Sequence, residues 1–164
     1  MQSSAIYAGT FDPLTLGHID LIERTAQIFD LVILAVAKSP PKDTLFTVEE
    51  RVALSREVTG GYTNVEVDTF DGLLIDYARK RGARVLVRGI RAYSDFEYEF
   101  RMALTNRKLA PEIETLFMMP KESQSYVNSS MVREIASLGG DVSGFVSAEV
   151  VEALRMKYGE SSGE

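Results

Sequence analysis

The segment Gly9-Thr10-Phe11-Asp12-Pro13-Leu14-Thr15-Leu16-Gly17-His18 is the part of the chain best suited to chemistry. It places a tight turn after an apolar, strand-like run and ends in Thr-x-Gly-His where a helical period begins. The first N–H groups of a helix lack partners inside it and its dipole is positive there, so an anion is favoured at that end. Gly17 permits close approach of the backbone. A histidine in such a place is discouraged from protonating, yet its N–H still donates to a phosphate oxygen. For a lone histidine the plainer reading makes Thr15 a helix cap and His18 a satisfied first-turn residue. The whole ten-residue string favours a nucleotide or phosphate site.

Three further stretches carry cations or hydroxyls. Arg88-Gly89-Ile90-Arg91 offers two guanidinium groups, each able to grip a phosphate with two prongs, around a glycine that leaves room for it. Two solvated arginines are the alternative. Ser129-Ser130-Met131-Val132-Arg133 has the form of a capped helix start in which Arg133 opposes the dipole unless an anion lies near. Its hydroxyls, amides and guanidinium would cradle a triphosphate, unless Arg133 is a solvent-exposed residue that tolerates the small dipole penalty. Lys42 follows Ser39-Pro40-Pro41, whose restricted backbone holds the ammonium in place, unless Lys42 is an ordinary surface lysine.

Positioning these groups requires a frame, and the chain supplies one by alternating β-branched apolar runs with stretches of helical period. Strands are expected at about 4–8, 31–37, 64–69, 84–87 and 115–119. Helices are expected at about 17–29, 48–59, 72–81, 94–109, 130–138 and 148–158. The unbroken run Leu31-Val32-Ile33-Leu34-Ala35-Val36 suits a buried parallel strand. Ile19, Ile22, Ala26 and Phe29 are expected to form the core face of the first helix, and Phe96, Phe100 and Ala103 that of the fourth. The pattern predicts an α/β fold: one domain over residues 1–158 with a doubly wound, five-stranded parallel sheet, Rossmann-like, and a frayed tail at 159–164. In such sheets ligands bind beyond the carboxyl ends of the strands. The loops there hold Thr10 and His18, Lys38 and Lys42, Arg88 and Arg91, then Lys121 and residues 123–130.

Composition removes several classes of function. The 164 residues, 45% hydrophobic and 26% charged, suit an ordinary globular chain, and no run approaches the length of a membrane span. The sequence has no cysteine and one histidine, which excludes disulfides, thiol catalysis and multi-histidine zinc sites. A net charge of -6 argues against nucleic acid as a partner, while leaving a local cationic pocket for a small anion. The first residues lack the basic region of a secretory signal, so a cytoplasmic location is expected.

The string at 9–18 resembles the nucleotidyltransferase signature whose core is [HT]-x-G-H. Lys42, Phe46-Thr47-x-Glu49-Glu50-Arg51, Arg88-Gly89-Ile90-Arg91, Asp95-Phe96-Glu97-Tyr98-Glu99 and Ser129-Ser130-x-x-Arg133 are similar, in order and spacing, to bacterial phosphopantetheine adenylyltransferases. The resemblance runs from Ala5 to about Leu154. It implies transfer of the adenylyl group of ATP to 4′-phosphopantetheine, giving dephospho-coenzyme A and pyrophosphate, with no protein nucleophile.

By that resemblance His18 stabilises the transition state and Thr10, Lys42 and Arg91 join it in catalysis. Thr10, Lys42, Leu74 and Arg88 would bind phosphopantetheine. Thr10, Phe11, His18, Gly89, Ile90, Arg91 and Glu99 would bind ATP, together with Gln124, Ser125, Tyr126, Val127, Asn128, Ser129 and Ser130. The family often carries Trp near Gln124 and Ser or Thr near Asn128, so this chain departs from it at both. The resemblance also implies Mg²⁺ arriving with ATP, a homohexamer, and feedback by coenzyme A. A related nucleotidyltransferase with another phosphorylated acceptor, such as nicotinamide mononucleotide, and a catalytically silent nucleotide-binding module are the alternatives.

Overall fold

In the computed structural model, which describes residues 3–159, the apolar runs become the inner strands of a parallel sheet. In chain order the elements are β1 (Ser4–Gly9), α1 (Leu16–Ile28), β2 (Leu31–Ala37), α2 (Val48–Thr59), β3 (Val65–Phe70) and α3 (Leu74–Arg81). They continue with β4 (Val85–Gly89), α4 (Tyr93–Leu109), β5 (Glu114–Met118), a single 3-10 turn (Glu122–Gln124), α5 (Ser129–Ser137) and α6 (Ala148–Gly159). The sheet has five strands in the order β3-β2-β1-β4-β5. The chain thus winds outward from β1 to β3, then returns to the other side of β1, and the direction reverses between β1 and β4. Register is continuous across that reversal: Tyr7 lies beside Leu34 of β2 and Val87 of β4.

Alternation along the strands builds one apolar layer on each face. Ile6, Ala8, Ile33, Ala35 and Leu86 pack against Ile75 and Ala78 of α3 and against Ala110 and Ile113. Ala5, Tyr7, Leu34, Val36 and Val87 face Leu21 and Ile22 of α1, with Val48 and Val52 of α2 beside them. A third layer joins Phe46 and Val127 to Val132 of α5 and to Val150 and Leu154 of α6. Strands β1 and β2 are buried almost throughout, whereas β3 and β5, at the two edges, are only partly so.

Several boundaries differ from expectation for identifiable reasons. Helix α3 starts at Leu74 and not at Gly72, because Gly72 has φ +75°, a turn conformation. Strand β4 extends to Gly89, so Arg88 lies on the strand itself. The core face of α1 is Leu21, Ile22 and Thr25, with Ile19, Ala26 and Phe29 only half-buried. In α4 the expected core residues Phe96 and Phe100 are each 46% exposed, so that face is left partly open among the described residues. Helix α6 runs to Gly159, and the remainder of the tail expected to fray lies outside the described residues.

Candidate active site

At the reversal between β1 and β4 the sheet opens into a cavity of about 510 Å³. Its walls bring together Thr10, Phe11, His18, Lys42, Arg88, Gly89, Arg91, Glu99, Asn128, Ser129 and Ser130, all singled out from sequence. Tyr7, Asp12, Asp43, Asp95 and Arg133 complete much of the lining.

The turn after β1 is folded tightly. Phe11 takes φ +51°, uncommon for an aromatic residue, and its ring turns back so that a Cβ on Gly9 would lie 3.0 Å from its Cζ. Glycine at position 9 therefore makes the fold-back possible. The Phe11 ring meets Tyr7 edge-on at 5.4 Å and His18 edge-on at 5.2 Å, which fixes the imidazole from one side.

The other side of His18 is fixed by the helix cap. Thr15 is the N-cap of α1, its hydroxyl accepting from the His18 N–H at 3.3 Å, and the Thr15 N–H donates to His18 Nδ1 at 2.9 Å. The plain capping reading and the anion-site reading are thus one arrangement. A backbone N–H can only donate, so Nδ1 carries a lone pair and the ring proton sits on Nε2. Burial, followed by the charges of Arg91 and Arg88, draws the His18 pKa down to about 3. At neutral pH His18 is therefore an uncharged donor through Nε2–H.

Arg88 leaves β4 to form a two-pronged pair with Glu99 of α4, Nε to Oε2 at 2.9 Å and Nη2 to Oε1 at 2.6 Å. Its Nη1 donates to the Ala8 carbonyl at 2.7 Å. Three of the five guanidinium N–H groups are engaged, which leaves two for a ligand. Desolvation opposes the Arg88 charge, but the hydrogen bonds and charge of Glu99, with Tyr7 and Tyr98 beside them, together hold its pKa above the ordinary arginine value. Gly89 was expected to leave room for an anion, but its missing side chain accommodates α1: a Cβ there would lie 2.9 Å from Leu21 Cδ2. Arg91 pairs with Asp95 at 3.2 Å and donates to the Val127 carbonyl at 3.2 Å, tying the end of β4 to the segment before α5.

Asn128, and not Ser129 or Ser130, caps α5, its side chain accepting from the Met131 N–H at 2.8 Å. Ser129 Oγ donates to the Pro13 carbonyl at 2.8 Å. The anion that Arg133 requires is internal: its Nη1 bonds the Asp12 carbonyl at 2.5 Å and lies 3.3 Å from Asp12 Oδ2. Of the remaining sequence candidates, Ile90, Gln124, Ser125, Tyr126 and Val127 do not line the cavity. Val127 is 1% exposed in the α5–α6 core, so it has only its backbone to offer.

Leu74 lines a second cavity of about 270 Å³ with Phe70, Leu73, Tyr98, Met102 and Asn106. Arg88 and Glu99 belong to both cavities, so the ion pair forms their common wall. Among the residues that sequence reasoning gave no role, Asp12 and Arg51 matter most, both nearly inaccessible to solvent. The available signal was position: Arg51 shares a helical face with Val48, Val52 and Ser55. Among the described residues no group of three or more His, Asp or Glu side chains is placed to hold a metal ion. No helix among them is long and apolar enough to cross a membrane.

The cytidylyltransferase-like family model matches residues 6–135. A phosphopantetheine adenylyltransferase of Thioalkalivibrio sulfidiphilus is 55% identical over 159 residues, covering 97% of this chain and 100% of that protein. One of Alkaliphilus metalliredigens is 54% identical over 152 residues, covering 93% and 97%. Among solved structures, a Plasmodium falciparum nicotinic acid mononucleotide adenylyltransferase complexed with NaAD superposes with a TM-score of 0.71. It is 11% identical and covers 100% of this chain and 99% of that one, a likeness of fold. A two-cavity site at the reversal of a parallel sheet, identity above one half along nearly the whole chain and the matched family model agree: this chain belongs to the phosphopantetheine adenylyltransferase family of cytidylyltransferase-like nucleotidyltransferases.

Proposed function

We propose that the two cavities receive the two substrates of one transfer. The protein moves the adenylyl group of ATP to 4′-phosphopantetheine, giving dephospho-coenzyme A and pyrophosphate. The observation that carries this reading is the Arg88–Glu99 wall, which joins a polar cavity headed by His18 to a second one lined by Phe70, Leu73, Leu74 and Met102. An acceptor with a phosphate at one end of a long, weakly polar arm suits that pair of spaces.

A phosphate oxygen of the acceptor forms a bond to the α-phosphorus of ATP while the bond from that phosphorus to the bridging oxygen breaks, and pyrophosphate leaves with the electron pair. The acceptor phosphate is already anionic, so alignment and charge stabilisation are what the protein contributes. Thr10, Lys42 and the two free N–H groups of Arg88 hold the acceptor phosphate. His18 Nε2–H donates to the α-phosphate, where charge grows in the transition state. Arg91 and the start of α5 at Ser129 and Ser130 meet the β- and γ-phosphates. Leu74 packs against the pantetheine arm, and Phe11, Gly89, Glu99 and Asn128 flank the ATP.

Mg²⁺ would be held by the ATP phosphates and not by a protein cage, and would supply positive charge that offsets the triphosphate. The donor set fits that arrangement: of the four acids on the cavity wall, Asp12, Asp95 and Glu99 are each engaged by a guanidinium, which leaves Asp43 alone and no acidic cage among the described residues. The uncovered apolar face of α4 supports self-association, which we assign to the homohexamer of the family. Coenzyme A, which carries the same arm and adenylyl group as the product, would compete at the same site. A cysteine-free chain suits the reducing cytoplasm.

Pyrophosphate release from ATP tests the reaction. It is expected with 4′-phosphopantetheine and not with nicotinamide mononucleotide. Release with nicotinamide mononucleotide instead would reassign the acceptor, and tight ATP binding with no product in either mixture would mark a silent module.

A further inference from the structure

Arg51 is the largest of the fully buried side chains, and among the described residues no carboxylate bonds it. Its guanidinium is directed at main-chain carbonyls: Nε donates to Phe46 at 3.2 Å, and Nη1 to Thr10 at 2.9 Å and Ala37 at 2.8 Å. Ala37 ends β2 and Phe46 closely precedes α2, so two of these carbonyls are the feet of loop 38–45. That loop carries Lys42 into the large cavity. The third carbonyl belongs to the turn that leads to His18.

Asp12 fastens the end of the same loop as well. Its Oδ2 accepts from the Leu45 N–H and its Oδ1 from the Phe46 N–H, both at 2.9 Å. Burying a guanidinium is unfavourable, and an apolar residue beside Val48 and Val52 would pack without that penalty. An apolar residue would not hold three carbonyls in fixed relation, which the planar fork of arginine does. Desolvation draws the Arg51 pKa below its ordinary value and the Asp12 charge opposes this, so the group stays a cation that only donates.

We infer that Arg51 is a positioning residue for the transfer: by clasping Ala37, Phe46 and Thr10 it sets the Lys42 ammonium against the Thr10–His18 turn so that both meet one acceptor phosphate. The inference rests on the acceptor-binding role proposed for Lys42. A purely electrostatic contribution is the competing account. The cavity walls carry four cations, Lys42, Arg88, Arg91 and Arg133, against four acids, Asp12, Asp43, Asp95 and Glu99, so a buried charge beneath them would tip the balance.

Steady-state kinetics of the full chain, Arg51→Lys, Lys42→Ala and the double variant separate these accounts. Arg51→Lys keeps the charge but loses the fork. The KM for 4′-phosphopantetheine is expected to rise about tenfold in Arg51→Lys while the KM for ATP changes by less than about twofold. That loss should vanish in the Lys42→Ala background, where no ammonium is left to position. Wild-type kinetics in Arg51→Lys, or losses that simply add in the double variant, would overturn the inference alone. An unchanged acceptor KM in Lys42→Ala would overturn the Lys42 role and the inference with it. Arg51→Gln, neutral but still a donor, replaces Arg51→Lys if the latter does not fold. If neither variant melts cooperatively, Arg51 serves the fold and not the reaction, and the inference is wrong.

Discussion

Arg88 and Glu99 grip each other through two parallel hydrogen bonds of 2.9 and 2.6 Å while both still face the two cavities. Glu99 therefore orients the guanidinium proposed to meet the acceptor. Glu99→Gln removes the charge and one acceptor oxygen beside a mostly enclosed cation. Loss of a charge-assisted bond predicts a fall in unfolding free energy of about 1–3 kcal/mol, measured by denaturant titration. The acceptor KM should rise with it. Unchanged stability together with an unchanged KM would show that Arg88 holds its place without the pair.

His18 should act as a neutral donor across the physiological range. His18→Ala is expected to lower kcat by about 10²–10³ while circular dichroism and thermal melts show an intact fold. Near-normal turnover would remove His18 from the reaction.

The depressed pKa of His18 also sets a pH dependence of stability. With a folded value of about 3 against an ordinary 6.5, the unfolded chain binds the extra proton in the window between them. Unfolding free energy from this group is therefore at its full value above about pH 6.5 and declines as the pH falls toward 3, by at most about 1.4 kcal/mol per pH unit. His18→Gln should flatten that slope in acid titrations followed by melting temperature. A slope identical to wild type would place the acid sensitivity elsewhere.

Gly17 separates what the fold needs from what a ligand needs. A Cβ there would meet Thr15 Oγ1 at 3.5 Å and Gln124 at 3.6 Å, ordinary contact distances. Gly17→Ala should thus fold at least as stably as wild type, with a gain of up to about 1 kcal/mol from helix propensity. The methyl adds to a cavity wall at the helix end proposed to meet ATP, so the KM for ATP should rise several-fold. A stable variant with wild-type kinetics would show that glycine is not kept for the nucleotide.

Phe96 and Phe100 stack at 5.6 Å on α4 with nearly half of each exposed, and exposed Leu104 follows one turn later on the same helix. Phe100→Glu should shift the protein to a smaller species in sedimentation velocity and remove concentration dependence from its melting temperature. An unchanged sedimentation profile would exclude this face as the contact.

Much of the frame was legible because its cause is local. The runs at β1 and β2 are buried on both faces and look it, Thr15 announces a helix start, and α1 and α2 begin within a residue or so of expectation. The loop cations converge because parallel strands share one carboxyl end. Other features depend on partners distant in sequence. Arg133 invited an external anion, and nothing near it revealed that Asp12, 121 residues earlier, would be the acceptor. Arg51 could be recognised as a charge on an apolar face, but its partners are carbonyls, whose positions side-chain types do not encode. Phe96 and Phe100 lie where core residues belong, and spacing alone does not say that the described residues leave them half open.

The bond from Arg88 to the Ala8 carbonyl spans 80 residues, and that from Arg133 to Asp12 spans more. The site is therefore complete only when β4 is docked beside β1 and α5 lies on the turn after β1. No short stretch of the chain contains it. A fragment that ends before β4 would keep the signature at 9–18 and the Lys42 loop yet lack the wall that joins the two cavities, so substrate binding would report on completion of the whole sheet.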